Sequence, residues 1–236
     1  MSAAQPHDYD RIWRDAYGDM QEVGPVHRHM RRILRGFLRG LDYETALDVG
    51  CGAGHNMALL RQGRESTAVT GVDLSDEALE RAGRSWPDAE FHRLDIQRER
   101  LDRSWDLVFS SLVLEHLPDD RAALGNMRSM AGKYVLVTTI AGDFERYRPW
   151  EEQMGHVRNY AAGELEAKMS DAGLRVERAT YWGFPFYTPV ARRLQNRMRS
   201  EPSYRRETRF LAQLMYGLYF LNSHRRGDLL VVLARA

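Results

Sequence analysis

The sequence feature that most limits the possible fold of this chain is an apolar segment that ends in alternating glycines. It runs from Leu47 to Gly54 and reads Leu-Asp-Val-Gly-Cys-Gly-Ala-Gly. The apolar residues favour a buried strand, and the glycines allow a tight turn in which backbone amides can approach a bound ligand closely. The segment therefore predicts a strand, a ligand-binding turn and a following helix. Glycine clusters also form ordinary turns, so the rest of the chain must support this interpretation.

The remainder of the chain alternates between strand-like and helix-like segments. Apolar, β-rich segments predict seven strands, at 45–49, 68–73, 90–95, 105–110, 134–140, 174–181 and 228–233. Helical patterns lie between them, at 53–62, 76–85, 118–131 (with Pro118 in its first turn) and 162–172. This alternation is typical of an α/β fold, and it predicts a Rossmann-like, mostly parallel sheet with helices on both faces.

Two segments fall outside the alternation. Residues 1–42 predict an N-terminal helical lid, in which an apolar stripe from Val26 to Leu41 lies opposite a row of arginines. We interpret the arginine row as a solvated face, with an anionic-lipid or nucleic-acid surface as the alternative. Residues 184–226 predict a helical cap inserted between the core at 43–183 and the last strand at 227–236. We expect one domain over residues 1–236.

Composition excludes several classes of protein. The formal net charge is +1, so the overall balance requires neither nucleic acid nor a membrane as partner, and no nucleic acid is expected. Cys51 is the only cysteine, which excludes an internal disulfide and leaves no companion cysteines for a metal site, so no metal is expected. The N-terminus lacks an apolar signal and no segment is long and apolar enough to span a membrane, so we expect a cytoplasmic protein.

Acidic residues follow three of the predicted strands, and together with the glycine segment they form an ordered series of motifs. Asp73 ends Gly71-Val72-Asp73-Leu74-Ser75, Asp95 stands in Leu94-Asp95-Ile96, and Glu115-His116 follows the fourth strand. With Asp48 and the glycines, this series resembles the class I S-adenosylmethionine-dependent methyltransferases, in particular their small-molecule, methyltransferase type 11-like members. The resemblance extends from about Asp48 to Gly173.

The resemblance implies a cofactor and a set of residues that hold it. The cofactor is S-adenosyl-L-methionine and the product S-adenosyl-L-homocysteine. In this family the second-strand acid, here Asp73, binds the ribose hydroxyls, and the third-strand acid, here Asp95, binds the adenine amino group. The full expected cofactor-binding set is Asp48, Gly50, Cys51, Gly52, Gly54, Asp73, Leu74, Asp95, Ile96, Ser110 and Tyr17. Taken singly, Asp73 and Asp95 could equally be turn or helix caps.

Two other glycine-loop cofactors fit less well. A dinucleotide site needs Gly-x-Gly-x-x-Gly, and here Gly54 comes one residue early and His55 stands in the sixth place. A phosphate loop needs a following Gly-Lys-Ser/Thr, which the sequence lacks. The spacing therefore disfavours nicotinamide, flavin and nucleoside triphosphate.

Two histidines are candidate catalytic residues. His116 follows the fourth strand, close to where the family's methyl group points, and could take a proton from the acceptor; alternatively it packs or gates the pocket. His156, in Gly155-His156-Val157, either faces the acceptor or anchors its loop by hydrogen bonds.

The sequence limits the class of methyl acceptor mainly through a motif that it lacks. Ser110-Ser111-Leu112-Val113 stands where many methyltransferases of nucleic-acid bases or glutamine amides have Asn/Asp-Pro-Pro-Tyr/Phe. A small acceptor is therefore favoured, and the aromatic residues of the cap suggest a hydrophobic or amphipathic compound of specialised metabolism, methylated on O, N or C. A protein- or RNA-modifying enzyme and a catalytically silent regulatory protein stay open, as do a homodimer and a monomer.

Overall fold

The computed structural model describes residues 23–193 and 206–236. Within them the strands are β1 (Thr45–Val49), β2 (Ala68–Asp73), β3 (Glu90–Arg93), β4 (Trp105–Ser111), β5 (Ala131–Ile140), β6 (Arg175–Trp182) and β7 (Leu229–Arg235). The α-helices are α1 (Pro25–Leu38), α2 (Met57–Arg61), α3 (Asp76–Ser85), α4 (Asp120–Met130), α5 (Arg148–Gln153), α6 (Glu164–Asp171) and α7 (Arg206–Leu218). Short 3-10 turns lie at Leu114–His116, Glu145–Tyr147 and Tyr219–Leu221, and a π-helical turn at Tyr187–Ala191.

The described strands form one sheet in the order β3-β2-β1-β4-β5-β7-β6. All neighbours from β3 to β5 are parallel, whereas β7 runs antiparallel to both β5 and β6. Val49, the last residue of β1, is in register with Val72 of β2 and Ser110 of β4. The carboxyl ends of these three strands therefore meet at one edge of the sheet, where α/β folds bind their ligands. The predicted mostly parallel sheet is confirmed.

Successive residues of the central strands point into two different cores. Leu47 and Val49 of β1 belong to one apolar cluster, which includes residues of α4 and α6. Ala46 of the same strand belongs to a second cluster, which includes residues of α1 and α2. Because side chains alternate along a strand, each cluster covers one face of the sheet, and the prediction of helices on both faces is confirmed.

Three predicted helix starts are wrong: the helix expected from 162 begins at Glu164, and the other two differ for local reasons. The helix expected from 53 begins only at Met57, because Gly52 and Gly54 adopt left-handed φ angles of +53° and +80° that a helix does not tolerate. The helix expected from Pro118 begins at Asp120, because the Asp119 carboxylate accepts a hydrogen bond from the Ala122 amide and caps the helix there.

Helix α1 packs against the insertion that precedes β7. Its apolar stripe is buried as predicted, through Met30, Ile33, Leu34, Phe37 and Leu38. The arginine row is partly occupied by contacts within the chain. The Arg28 guanidinium lies 3.6 Å from the centre of the Tyr216 ring and donates to Gln213, and Arg32 lies over Phe220.

The insertion is helical where the structure describes it. Helix α7 and the turn at Tyr219–Leu221 lie within the helical cap predicted at 184–226, whereas positions 194–205 of that cap lie outside the described residues. Among the described helices, none combines the length and apolarity needed to cross a membrane.

Candidate active site

A cavity opens at the edge of the sheet where β1, β2 and β4 end. The glycine loop, the end of β2, the turn after β4, the start of α1 and the segment after α5 all contribute to its wall. Of the predicted site residues, those that line it are Gly50, Cys51, Gly52, Asp73, Leu74, Ile96, His116 and His156. Asp48, Gly54, Asp95 and Ser110 are not among its lining residues, and Tyr17 lies outside the described part of the chain.

The glycine loop is tied to the end of β2 and has no space for a side chain at Gly50. The amides of Gly50 and Cys51 both donate to the carbonyl of Val72, at 2.8 and 3.0 Å. A Cβ on Gly50 would lie 2.2 Å from Cγ2 of Val113, and its φ of +72° is left-handed. Burial raises the pKa of the Cys51 thiol, so this residue acts as a small apolar filler in the loop.

Asp73 stands between the loop and α3. Its Oδ2 accepts from the Gly52 amide at 2.8 Å and its Oδ1 from the Ser75 amide at 3.0 Å, and these two bonds fix the carboxylate at the cavity wall. A carboxylate has about four acceptor positions, so these bonds are compatible with a ligand diol on the same group.

Asp48 is a fully buried carboxyl group next to the loop. Neither of its oxygens has a hydrogen-bond partner within the described residues. Burial, and secondly the charge of Asp73, raise its pKa to about 8. A cationic group brought close by a ligand would stabilise the ionised form of Asp48.

The third-strand segment presents its apolar residues to the cavity. Leu94 and Ile96 line it, on either side of Asp95 in the chain. The Asp95 Oδ1 accepts from the backbone amide and the side-chain amide of Gln97, at 3.1 and 3.3 Å. In this structure Asp95 thus caps the turn that follows β3, which is the alternative that the sequence left open.

The turn after β4 brings His116 to the cavity. Leu112 adopts a left-handed φ of 57°, which is costly for a leucine and redirects the chain as β4 ends. His116 then follows in the 3-10 turn, with Nδ1 3.1 Å from the carbonyl oxygen of Gly155. The rings of His116 and His156 are 4.7 Å apart and nearly perpendicular. The two predicted catalytic candidates, 40 residues apart in sequence, are therefore neighbours.

Buried acids lie behind this pair. Glu115 is fully buried, its Oε2 accepts from the Thr139 hydroxyl at 2.7 Å, and burial raises its pKa. Glu151 of α5 lies 2.5 Å from Nδ1 of His156 and forms a salt bridge with Arg192. Burial alone would raise the pKa of Glu151, but the hydrogen bond from His156 and the charge of Arg192 outweigh it and lower the pKa.

Several lining residues were not predicted from the sequence. They are Val26, His27, Met30 and Arg31 of α1, Trp150 and Met154 near α5, Tyr187 of the insertion and Leu229 of β7. The apolar stripe of α1 and the aromatic residues of the insertion were the available signals, but neither indicates which residues face a cavity.

The sheet order, the glycine turn and the acid at the end of β2 define a class I, Rossmann-like methyltransferase fold. The chain belongs to the methyltransferase-domain family, whose family model matches residues 22–179. The resemblance found in the sequence is confirmed, and S-adenosylmethionine is the cofactor of this class.

Curated relatives match parts of the chain. Trans-aconitate 2-methyltransferase of Escherichia coli O157:H7 (strain EC4115 / EHEC) is 35% identical over 82 residues, covering 35% of this chain and 32% of that protein. The enzyme of the same name from Azoarcus sp. (strain BH72) is 28% identical over 156 residues, covering 65% of this chain and 59% of that protein. The chain thus matches about a third of the length of the first of these relatives.

Solved structures share the fold across nearly the whole chain. A methyltransferase in complex with the Haloferax volcanii Trm112 methyltransferase activator has a TM-score of 0.67 at 19% identity and covers 99% of both chains. Magnesium protoporphyrin IX methyltransferase from Synechocystis PCC 6803 with bound SAM has a TM-score of 0.58 at 14% identity, covering 99% of this chain and 86% of that one.

The residues present fit S-adenosylmethionine. The glycine loop, the Asp73 carboxylate at the cavity wall and the apolar pair Leu94 and Ile96 suit its methionine, ribose and adenine parts in turn. Asp48 does not line the cavity but lies next to the glycine loop, and because its oxygens have no hydrogen-bond partner within the described residues, a positively charged ligand at the loop would favour its ionised form.

Proposed function

We propose that this protein transfers the methyl group of S-adenosylmethionine to an O, N or C atom of a small hydrophobic or amphipathic molecule. One observation carries the proposal: a single cavity joins the glycine loop and Asp73 to the pair His116 and His156 and to an apolar and aromatic wall. Donor and acceptor would meet inside it.

The donor half of the cavity is assigned to the cofactor. Asp73 would accept hydrogen bonds from the ribose hydroxyls, Leu94 and Ile96 would pack on the adenine, and the backbone of Gly50 to Gly52 would hold the methionine part. When bound, the cofactor supplies an electrophilic methyl group on a sulfonium, which an acceptor takes by direct displacement. The protein's main contribution is to align the acceptor in a site that excludes water.

The acceptor half is assigned to the histidine pair. His156 has its Nδ1 at 2.5 Å from Glu151, so its ring is held by a carboxylate, in an orientation that leaves Nε2 for the acceptor. His116 is held through the Gly155 carbonyl. This pair would take the proton of an O–H or N–H acceptor as that acceptor receives the methyl group.

The acceptor wall supports the hydrophobic or amphipathic class. Trp150, Met154, Tyr187 and Leu229 line the cavity, and Tyr187 and Leu229 come from the insertion and the strand that follows it. Burying the apolar surface of an acceptor against such side chains is favourable. A strongly hydrated acceptor would have to give up its bound water there, which costs free energy.

A carboxylate-bearing acceptor is the second candidate. Arg31 of α1 also lines the cavity, and the Azoarcus and E. coli relatives are named for trans-aconitate. An arginine at the wall suits a carboxylate on an otherwise apolar acceptor.

The test is a methyl-transfer assay with labelled S-adenosylmethionine against fractionated small molecules, with trans-aconitate as a separate arm. We expect label in an apolar small-molecule fraction, and a fall in kcat of about 100-fold or more for His156→Gln with little change in cofactor affinity. The matched control is His92→Gln, an exposed histidine on β3, which should leave kcat unchanged.

Three results would overturn the proposal. Tight cofactor binding with no transfer to any small-molecule or macromolecular fraction would favour a regulatory protein. Label confined to protein or RNA would favour the macromolecular alternative. Equal kcat in wild type and His156→Gln would remove His156 from the chemistry.

A further inference from the structure

Glu115, His116 and His156 form a cluster with the composition of a metal site. One possible ligand atom from each, a carboxylate oxygen and two ring nitrogens, lies within 4.8 Å of the others. Atoms bonded to the same metal at about 2.0 to 2.2 Å are at most roughly 4.4 Å apart. Neighbouring ligands of a tetrahedral ion are closer, roughly 3.3 to 3.6 Å apart, so the side chains of the cluster would move by about an ångström to close around an ion.

Hydrogen bonds determine which ring nitrogens carry lone pairs. A carbonyl oxygen can only accept, so Nδ1 of His116, 3.1 Å from the Gly155 carbonyl, must donate. Nδ1 of His156 likewise donates to the Glu151 carboxylate at 2.5 Å. In the neutral rings the lone pair then lies on Nε2 of each histidine. Neutral imidazoles whose second nitrogen donates to a carboxylate or carbonyl are the usual metal-ligating form.

The surroundings of Glu115 give a second, independent indication of a bound cation. Its side chain is fully buried, Oε2 accepts from the Thr139 hydroxyl, and Oε1 is buried with no hydrogen-bond partner within the described residues. The residue also lines the cavity. A buried carboxylate oxygen without a partner is costly, and a cation beside it would remove that cost.

The elements that hold the three residues make the cluster rigid. Glu115 and His116 belong to the 3-10 turn after β4, and His156 is fixed by Glu151, which Arg192 and Asn159 hold in turn. Each of the three side chains is therefore oriented by a second group, namely Thr139, Gly155 or Glu151. Such supporting contacts are the feature that separates metal sites from chance groupings.

We propose that Glu115, His116 and His156 bind one divalent transition-metal ion, with Mn²⁺, Fe²⁺ or Zn²⁺ as the class that two imidazoles and one carboxylate select. Three protein ligands leave coordination positions open toward the cavity. There the ion would bind an oxygen of the acceptor and lower the pKa of a hydroxyl or orient a carboxylate; with both Nε2 atoms on the ion, the proton of a hydroxyl acceptor would leave to water and not to the histidine pair. This last role rests on the proposed function, whereas ion binding does not.

The experiment is titration calorimetry of the full, tag-free chain with MnCl₂ and, separately, ZnCl₂. We expect one ion per chain, and affinity at least tenfold weaker in Glu115→Gln and in His156→Gln. The matched control His92→Gln should bind as wild type does. No ion bound by the wild type at millimolar MnCl₂ and ZnCl₂ would overturn the proposal, as would unchanged affinity in a folded His156→Gln variant.

A spectroscopic measurement on the wild type avoids any dependence on folding of the variants. Pulsed electron paramagnetic resonance of the Mn²⁺-loaded chain should show coupling to nitrogen nuclei of two histidines, and its absence would overturn the proposal. Cofactor affinity and methyl transfer are measured on the same preparation. An ion that binds without methyl transfer contradicts only the proposed function, and methyl transfer without a bound ion contradicts only the metal site.

Discussion

Gly50 illustrates how a single missing side chain shapes the end of the cavity that the glycine loop lines. Two separate constraints act there. The φ of +72° disfavours any other residue, and Val113 fills the space that a Cβ would need. Gly63 has nearly the same φ, +71°, but a Cβ at that position would have no described atom within 4 Å beyond its chain neighbours. A comparison of the two positions therefore separates the cost of the left-handed backbone from the cost of a clash with Val113.

Replacing each glycine by alanine should give different losses of stability. Gly63→Ala should cost about 1 kcal/mol, from the left-handed backbone alone. Gly50→Ala should cost roughly 2 to 4 kcal/mol, because the displacement of Val113 adds to that strain. Urea unfolding of both variants measures the difference. Equal losses in the free energy of unfolding would show that Val113 moves aside without an energetic cost.

Local residues of this kind were predictable, whereas contacts between distant residues were not. The glycines and Asp73 stand where β1 and β2 end, and Ile96 follows β3 by three residues; the end of a strand is visible in the sequence from its apolar segment. The bond between His156 and Glu151 joins a loop to a helix, and Glu115 meets His156 across 41 positions of sequence. No periodicity encodes such a pairing, because it depends on how the turn after β4 faces the segment after α5.

At the scale of elements, one ionic network joins three parts of the chain. Glu151 lies on α5, Arg192 follows the π-helical turn of the insertion, and Asp228 precedes β7. Arg192 contacts both acids and is 3% exposed. Because the network is buried, removing one charge leaves the others without compensation.

Glu151→Gln should therefore destabilise the protein by roughly 2 to 4 kcal/mol. The neighbouring Glu152, whose side chain is 57% exposed and paired with Arg148, provides the control, and Glu152→Gln should cost less than about 1 kcal/mol. Thermal and urea unfolding of the two variants test this. A loss in Glu151→Gln as small as that in Glu152→Gln would contradict a structural role for the network.

Element boundaries show what the apolar patterns of the sequence cannot predict. The bounds of β1, β2 and α3 agree with the predicted 45–49, 68–73 and 76–85. The helix after β1 does not, since two left-handed glycines delay its start, and capping by Asp119 moves the start of α4 past Pro118. Apolar periodicity predicts that an element exists, while backbone angles and side-chain caps decide where it begins.

For the molecule as a whole, Asp48 couples stability to pH. Its pKa in the folded chain is raised to about 8, well above the ordinary 3.8 of an aspartic acid. A raised folded-state pKa means that this group's contribution is fully present below about pH 4 and is lost as the pH rises toward 8. The unfolded chain releases the proton readily, and the folded chain does not.

The cofactor-free protein should therefore lose stability between pH 5 and pH 8, and Asp48→Asn should lose less. At about 1.36 kcal/mol per pH unit, the Asp48 contribution over this interval is at most roughly 4 kcal/mol. Asp102→Asn, at an exposed position, is the control and should follow the wild type. Urea unfolding at several pH values measures the slopes; parallel curves for wild type and Asp48→Asn would contradict the assignment.

The antiparallel placement of β7 has a consequence for how acceptor preference could change. Trp182 at the end of β6 is paired with Leu229 at the start of β7, so the insertion begins and ends at one point of the sheet. Tyr187 of the insertion and Leu229 of β7 line the cavity on this side, while Asp73 and the glycine loop belong to the opposite half of the sheet. The segment between Trp182 and Leu229 therefore carries both a cavity-lining side chain, Tyr187, and the buried Arg192, so a segment grafted from another family member would have to supply a new partner for Glu151 and Asp228 as it changes the cavity wall.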